Sequence, residues 1–109
     1  MLDRIEKNEK YPSAYKERLR AAYGYFKEQG YEFTEHALGR ALNPKSGRRK
    51  AYYTLEDVLN TLRSPANYRD GETKIVKHYG DIAVIQANDT GEIVSVISTE
   101  NPSKSWEAI

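Results

Sequence analysis

Residues 74–98 read KIVKHYGDIAVIQANDTGEIVSVIS, and this stretch decides the fold. It divides into three short runs rich in Ile and Val: Lys74 to Tyr79, Ile82 to Ala87 and Glu92 to Ser98. Gly80-Asp81 separates the first two, and Asn88-Asp89-Thr90-Gly91 the second and third. Both gaps are of hairpin length and carry the residues that tight turns demand. The stretch therefore predicts an antiparallel β-meander. Neither face of the first run is clearly apolar, since Lys74, Val76 and His78 share one side and Ile75, Lys77 and Tyr79 the other, which reads as an edge strand.

Upstream the pattern is helical. Pro12-Ser13 opens a helix with Ser13 as N-cap and Gly30 as its left-handed stop. Tyr15, Leu19, Ala22, Tyr23 and Phe26 recur along it at helical spacing. Leu2 to Lys10 adds a short frayed helix before it. Thr34 caps a further helix over Glu35 to Leu42, which ends before Asn43-Pro44. Lys45 to Arg49 is a loop. Thr54-Leu55-Glu56-Asp57 forms a capping box, opening a helix with Leu55, Val58, Leu59 and Leu62 on one side and a stop at Ser64-Pro65. The tail Asn101 to Ile109 is irregular, with Trp106 packing back on the body. Helices first and strands last predict the α+β class, with N-terminal helices packed on a small antiparallel β-meander in one domain over residues 1–109.

Composition narrows the function classes. The chain has 109 residues, 39% hydrophobic and 30% charged, enough for one modest core. Its mean hydropathy is −0.81. The longest aliphatic stretch is Ile82-Ala83-Val84-Ile85, far short of the roughly 20 residues that span a bilayer. The charged opening MLDRIEKNEKYP predicts neither a secretory signal nor an anchor. Cysteine is absent, which excludes disulfide scaffolds, thiolate zinc sites, iron–sulfur clusters and cysteine nucleophiles.

The formal net charge of +1 hides a segregation. Seven basic and seven acidic residues balance between Met1 and Glu35. From His36 to Gly80 nine basic residues face four acidic ones, and from Asp81 to Ile109 one faces five. The densest basic part, Arg40, Lys45, Arg48, Arg49 and Lys50, contains no acidic residue, and Tyr52 and Tyr53 follow at once. A solvated charged face is the plain reading. Cations followed by aromatics also suit the phosphates and bases of single-stranded nucleic acid.

Among groups that could do chemistry, His36 and Arg40 stand out. On a helical wheel they lie one turn apart, opposite Ala37, Leu38, Ala41 and Leu42, with Gly39 beside them. Such a face can hold a phosphate against a proton-transfer group. His36 also lies in the first turn, where the helix dipole favours a neutral imidazole and free amides attract an anion. An exposed helix face with an incidental histidine accounts for the same positions. His78, on the first strand, is expected to make a cross-strand hydrogen bond rather than to act in catalysis. In the third run Ile93, Ser95, Ile97 and Thr99 alternate with Val94, Val96 and Ser98. Ser95 and Thr99 thus share a face as phosphate donors or as ordinary solvent-facing hydroxyls. No G-x-S-x-G, H-E-x-x-H, Walker loop or dinucleotide fingerprint occurs, so any enzyme here is expected to need no metal and no cofactor.

Phe33-Thr34-Glu35-His36-Ala37-Leu38-Gly39-Arg40 precedes a basic Gly-Arg-Arg loop and a capped helix, and Asp81 to Ile85 and Thr90 to Ile97 complete a pattern. From Phe33 to Ile97 it resembles the barnase–EndoU–colicin–RelE superfamily of small ribonucleases. The likeness is greatest to the C-terminal toxin domains of contact-dependent growth inhibition and other polymorphic toxins. The resemblance implies RNA, in particular tRNA, as substrate, cleaved by 2′-OH attack to a 2′,3′-cyclic phosphate. It implies His36 as base or acid, Arg40 and Arg48 on the scissile phosphate, and Ser95 or Thr99 on a non-bridging oxygen. Lys45, Arg49 and Lys50 would contact RNA, with Tyr52 or Tyr53 stacking a base. Where relatives carry Thr in a Gly-x-Ile-Val-Thr strand this chain has Ser95, and a strand tyrosine partner is missing. The resemblance further implies a monomer delivered from a larger secreted effector into the target-cell cytoplasm, and an acidic cognate immunity protein. The rival readings are a non-enzymatic RNA-binding or regulatory module of phage or mobile-element origin, and a small protein acting through protein contacts. Convergence of His36, Arg40 and a strand hydroxyl on one cleft would favour the enzyme.

Overall fold

The computed structural model describes residues 2–42 and 53–109. Among these, helices α1 (Leu2–Lys7), α2 (Ser13–Glu28), α3 (Glu35–Leu42) and α4 (Leu55–Arg63) precede all the strands. The strands are β1 (Tyr68–Asp70), β2 (Lys74–Tyr79), β3 (Ile82–Ala87), β4 (Ile93–Ser98) and β5 (Glu107–Ala108). They form one antiparallel sheet in the order β4-β3-β2-β1-β5. The class is α+β, with N-terminal helices on a small sheet. None of the described helices is long and apolar enough to cross a membrane.

Local chemistry explains the helix ends. At α2 the expected N-cap is displaced by one residue: Pro12 is the cap and makes no side-chain bond, while Ser13 is the first helical residue. Proline's fixed φ suits an entry position, and its missing N–H leaves no donor to satisfy. Gly30 ends the helix at φ 91°, and the amides of Gly30 and Tyr31 return to the carbonyls of Lys27 and Phe26 at 3.0 Å each. This is a Schellman closure, and its left-handed residue favours glycine. Thr54 and Asp57 cap α4 reciprocally, at 3.1 Å and 2.8 Å.

The sheet has two covered faces. Ile82, Val84, Ile93 and Val96 join the main core with residues of all four helices. Val76, Ala83 and Ile85 build a second cluster on the other face, against Tyr68, Val94, Ile97 and Trp106. The expected return of Trp106 is therefore seen, but the tail is not irregular throughout. Glu107 and Ala108 pair with Arg69 and Tyr68, and the Arg69 guanidinium grips Glu107 through Nε at 3.0 Å and Nη2 at 2.7 Å. Neither β1 nor β5 carries an Ile/Val signature, and each is defined by its partner. The edge reading of β2 is also corrected, since β2 lies between β1 and β3. Its Lys77 is tolerated under α4 because the ammonium donates to the Leu62 carbonyl near the helix end.

One irregularity sets the geometry of β4. Ser95 pairs with Ile85 and Ile93 with Gln86, so Val94 is an extra residue. The resulting β-bulge puts Ile93 on the same side as Val96 and Ser98, and leaves Ser95 and Ile97 on the outer face. Strict alternation, which placed Ile93 beside Ser95, fails at this point. Ile93 is fully buried, whereas Val94 is half-buried in the second cluster. Ile93→Ala should therefore cost about 2–5 kcal/mol of stability, the usual range for emptying a packed aliphatic site, and Val94→Ala distinctly less. Urea denaturation of the two variants checks this, and equal losses would contradict the assigned bulge.

Candidate functional site

The site is built on α3, whose position is fixed at its entry. Phe33 forms an isolated parallel bridge with Ile93. The Ile93 amide donates to the Glu32 carbonyl at 2.8 Å, and the Thr34 amide donates to the Ile93 carbonyl at 2.9 Å. The Thr34 hydroxyl then accepts from the Ala37 amide at 3.1 Å, as expected of its N-cap position. Ala37, Leu38 and Ala41 are buried, which orients the remaining faces. Toward α2, Glu35 accepts a 3.2 Å hydrogen bond from the Tyr11 hydroxyl. At Gly39 a Cβ would stand 3.3 Å from the Tyr15 hydroxyl oxygen, so glycine allows the two helices to approach.

His36 is exposed and Arg40 half-buried on the face turned away from that packing. The wheel is thus correct for His36. The anion expected at the helix N-terminus is disfavoured, because Thr34 occupies the Ala37 amide and Glu35 places a carboxylate in the first turn. Positive charge gathers instead at the other end. Arg40 lies in the last turn, where a cation suits the helix dipole. The Arg18 guanidinium donates to the Leu42 carbonyl at 3.3 Å, and the Tyr53 hydroxyl to the Arg40 carbonyl at 3.2 Å.

Tyr53 links this turn to the sheet. Burial pushes its phenol above the ordinary value of 10.0, opposed by the nearby Ser98 hydroxyl and the Arg40 charge. Ser98 is 4% exposed on the helix-facing side of β4, and among the described residues its Oγ has no hydrogen-bond partner of normal geometry. The structure therefore assembles Arg40, Tyr53 and Ser98. Ser98 is the residue the sequence reading did not single out, although alternation sets it on the same side as the apolar Val96. Tyr53 was expected only as a base-stacking ring.

The other strand hydroxyls lie elsewhere. Ser95 faces outward, across the sheet from α3. The Thr99 hydroxyl donates to the Asn101 carbonyl at 2.7 Å. Neither is brought to His36. His78 makes the structural bond expected of it, with Nε2–H donating to the Thr99 carbonyl at 2.9 Å, the tautomer that a carbonyl partner requires. Arg48, Lys45, Arg49, Lys50 and Tyr52 lie outside the described residues, in the segment that joins Leu42 to Tyr53.

Tyr53 also lines an open cleft of about 290 Å³ between α4 and the β2–β3 turn, with Asp57, Asn60, Thr61, Tyr79 and Asp81. Its two carboxylates give it the wrong sign for a phosphate. No group of three or more His, Asp or Glu side chains among the described residues could hold a metal ion.

A scan against protein-family models finds no match, and searches of curated proteins and of solved structures find none either.

The buried phenol carries a pH dependence. A phenol whose folded pKa exceeds its unfolded value of 10.0 stabilises the fold below pH 10, and that contribution is lost as pH rises through the folded value. Absorbance titration should thus resolve tyrosines ionising above pH 10, among them Tyr53 and Tyr11, the latter raised first by burial and then by Glu35. Tyr53→Phe should soften the alkaline loss of stability. A single ionisation of all nine tyrosines near 10.0 would contradict this assignment.

Proposed function

We propose that the chain is a metal-independent ribonuclease of the toxin type, acting on RNA and in particular tRNA. One observation carries the reading: α3 holds an exposed His36 one turn from Arg40, and the Arg40 turn meets Tyr53 where the basic segment leaves and rejoins the described chain. The likeness of residues 33–97 to the barnase–EndoU–colicin–RelE superfamily supports the same chemistry. The ribose 2′-OH attacks the adjacent phosphorus, the bond to the 5′-oxygen breaks, and the products are a 2′,3′-cyclic phosphate and a 5′-hydroxyl. One proton leaves the 2′-OH and one reaches the 5′-oxygen. His36 performs one of these transfers. Arg40, together with Arg48 from the basic segment, stabilises the charge that builds on the phosphate, for which a forked guanidinium is suited. Lys45, Arg49, Lys50 and Tyr52 supply backbone and base contacts.

A second reading keeps the RNA and omits the reaction. It is favoured by Ser95 lying on the outer face of the sheet and by the Thr99 hydroxyl being committed to the Asn101 carbonyl. A non-enzymatic RNA-binding module would need the basic segment but not His36.

The two readings separate in one experiment. Incubation of the purified chain with total bacterial RNA in excess EDTA should yield discrete fragments ending in cyclic phosphate. His36→Ala should lower the rate about 10²–10⁴-fold while leaving the melting temperature near that of the wild type. RNA retention without cleavage, unchanged in His36→Ala, identifies the binding module.

A toxin of this kind needs an inhibitor in the cell that makes it, and the basic run Arg40 to Lys50 suits an acidic one. Co-expression of a neighbouring acidic gene product should rescue growth arrested by the chain alone. Arg48→Glu with Arg49→Glu should slow association and flatten its salt dependence, as stopped-flow binding over a range of salt would show.

A further inference from the structure

Helix α2 and the residues just before it meet α3 in three rungs: Tyr11 with Glu35, Tyr15 with Gly39 and Arg18 with Leu42. The residues of each pair stand 24 apart in sequence. The constant offset follows from equal helical spacing on both sides, and it carries Arg18 to the turn of α3 that holds Arg40. Elsewhere the arginines of α2, α4 and β1 are committed to side chains: Arg20 pairs with Glu6, Arg69 with Glu107, and Arg63 donates to Gln29. Neither Arg18 nor Arg40 has an ion pair among the described residues. Arg18 is exposed, and its one bond there, from Nη2 to the main-chain carbonyl of Leu42, is 3.3 Å long. Glu17, next to it, points a little over a quarter-turn round the helix. Two uncompensated cations brought to one helix end repel each other, and an anion that neutralises them removes that cost.

We propose that Arg18 is a second phosphate-binding residue of the RNA site, holding a phosphate next to the one that Arg40 holds. This role rests on the RNA reading above, and it is the same whether the RNA is cleaved or only bound. A guanidinium carries five N–H donors in a fixed fork, so Arg18 keeps its bond to Leu42 and still offers others to phosphate oxygens. The carbonyl bond orients the side chain in advance, which lowers the ordering cost that a long surface side chain brings to binding. Arg18 and Arg40 also stand on two packed helices, so the α2–α3 rungs and not a loop set their separation. Cations held in this way suit the regular repeat of a nucleic-acid backbone. The structural rival is a cap: an arginine near the last carbonyls of a helix satisfies the helix dipole with or without RNA. Salt separates the two roles. A phosphate contact displaces counterions from the RNA and steepens the salt dependence of binding, which a cap does not.

The test is fluorescence anisotropy of the full chain with a short fluorescein-labelled 2′-O-methyl RNA, which has no free 2′-OH and is therefore bound without being cleaved. Affinity is followed from about 50 to 200 mM KCl. Arg18→Gln removes the charge from an exposed position and keeps a donor for the Leu42 carbonyl, so the melting temperature should stay near that of the wild type. Binding should weaken about three- to tenfold, and the slope of log Kd against log salt should fall by about 0.7, the share of one single-strand phosphate contact. Arg18→Lys keeps a point charge and should restore the slope. Arg20→Gln, two residues along α2 and already paired with Glu6, should leave the slope unchanged. A wild-type slope in Arg18→Gln overturns the proposal and leaves Arg18 as a helix cap, while the RNA reading stands. Equal loss of slope in Arg20→Gln also overturns it, because the effect then belongs to the general field of α2. Absence of binding by the wild-type chain overturns it together with the RNA reading.

Discussion

The N–H of Ile93 donates to Glu32 at 2.8 Å and its carbonyl accepts from Thr34 at 2.9 Å, and this one-residue parallel bridge joins the helical half to the sheet. The bridge sits where the β4 bulge turns the Ile93 side chain into the main core. Backbone pairing and side-chain burial thus meet at the same residue. Phe33, the residue across the bridge, stacks on Phe26 of α2 with ring centroids 4.1 Å apart. Through these contacts α2, α3 and β4 take their relative positions together.

Because α3 is clamped at its first residue and buried along Ala37, Leu38 and Ala41, its remaining faces have no rotational freedom. Glu35 and Gly39 must meet α2, and Arg40 must turn toward Tyr53 and the end of β4. The same bulge that seats Ile93 leaves Ser95 on the outer face and Ser98 within. A single inserted residue therefore chooses which strand hydroxyl stands near Tyr53. The hydroxyl on the helix side is buried beside Tyr53, not a solvent-facing donor.

Charge is partitioned around Tyr53. Its phenol feels the Arg40 charge, and its side chain also lines the cleft that holds Asp57 and Asp81. An anion is drawn toward the Arg40 turn and a cation toward α4 and the β2–β3 turn, over a distance short enough that neither field is fully screened at physiological salt.

The sequence alone determined whatever depends on near neighbours. Alternation and turn residues located β2, β3 and β4, because Gly80 and Gly91 accept the positive φ that their turns require. Capping chemistry located α3 and α4, because Thr34 and Thr54 satisfy amides three residues ahead. Helical spacing put His36 on an exposed face. Tertiary structure decided what depends on distant partners. β1 and β5 are strands only because each has the other, or β2, to pair with. Lys77 lies in a central strand only because α4 offers it a carbonyl. The bulge at Val94 is selected by the bridge to Phe33, some sixty residues earlier, and no local pattern in I-V-S-V-I-S announces it. Arg40 and Ser98 both came to stand beside Tyr53 for the same reason: period-two alternation fixes the side of a strand, but only the packed helices decide what stands on that side.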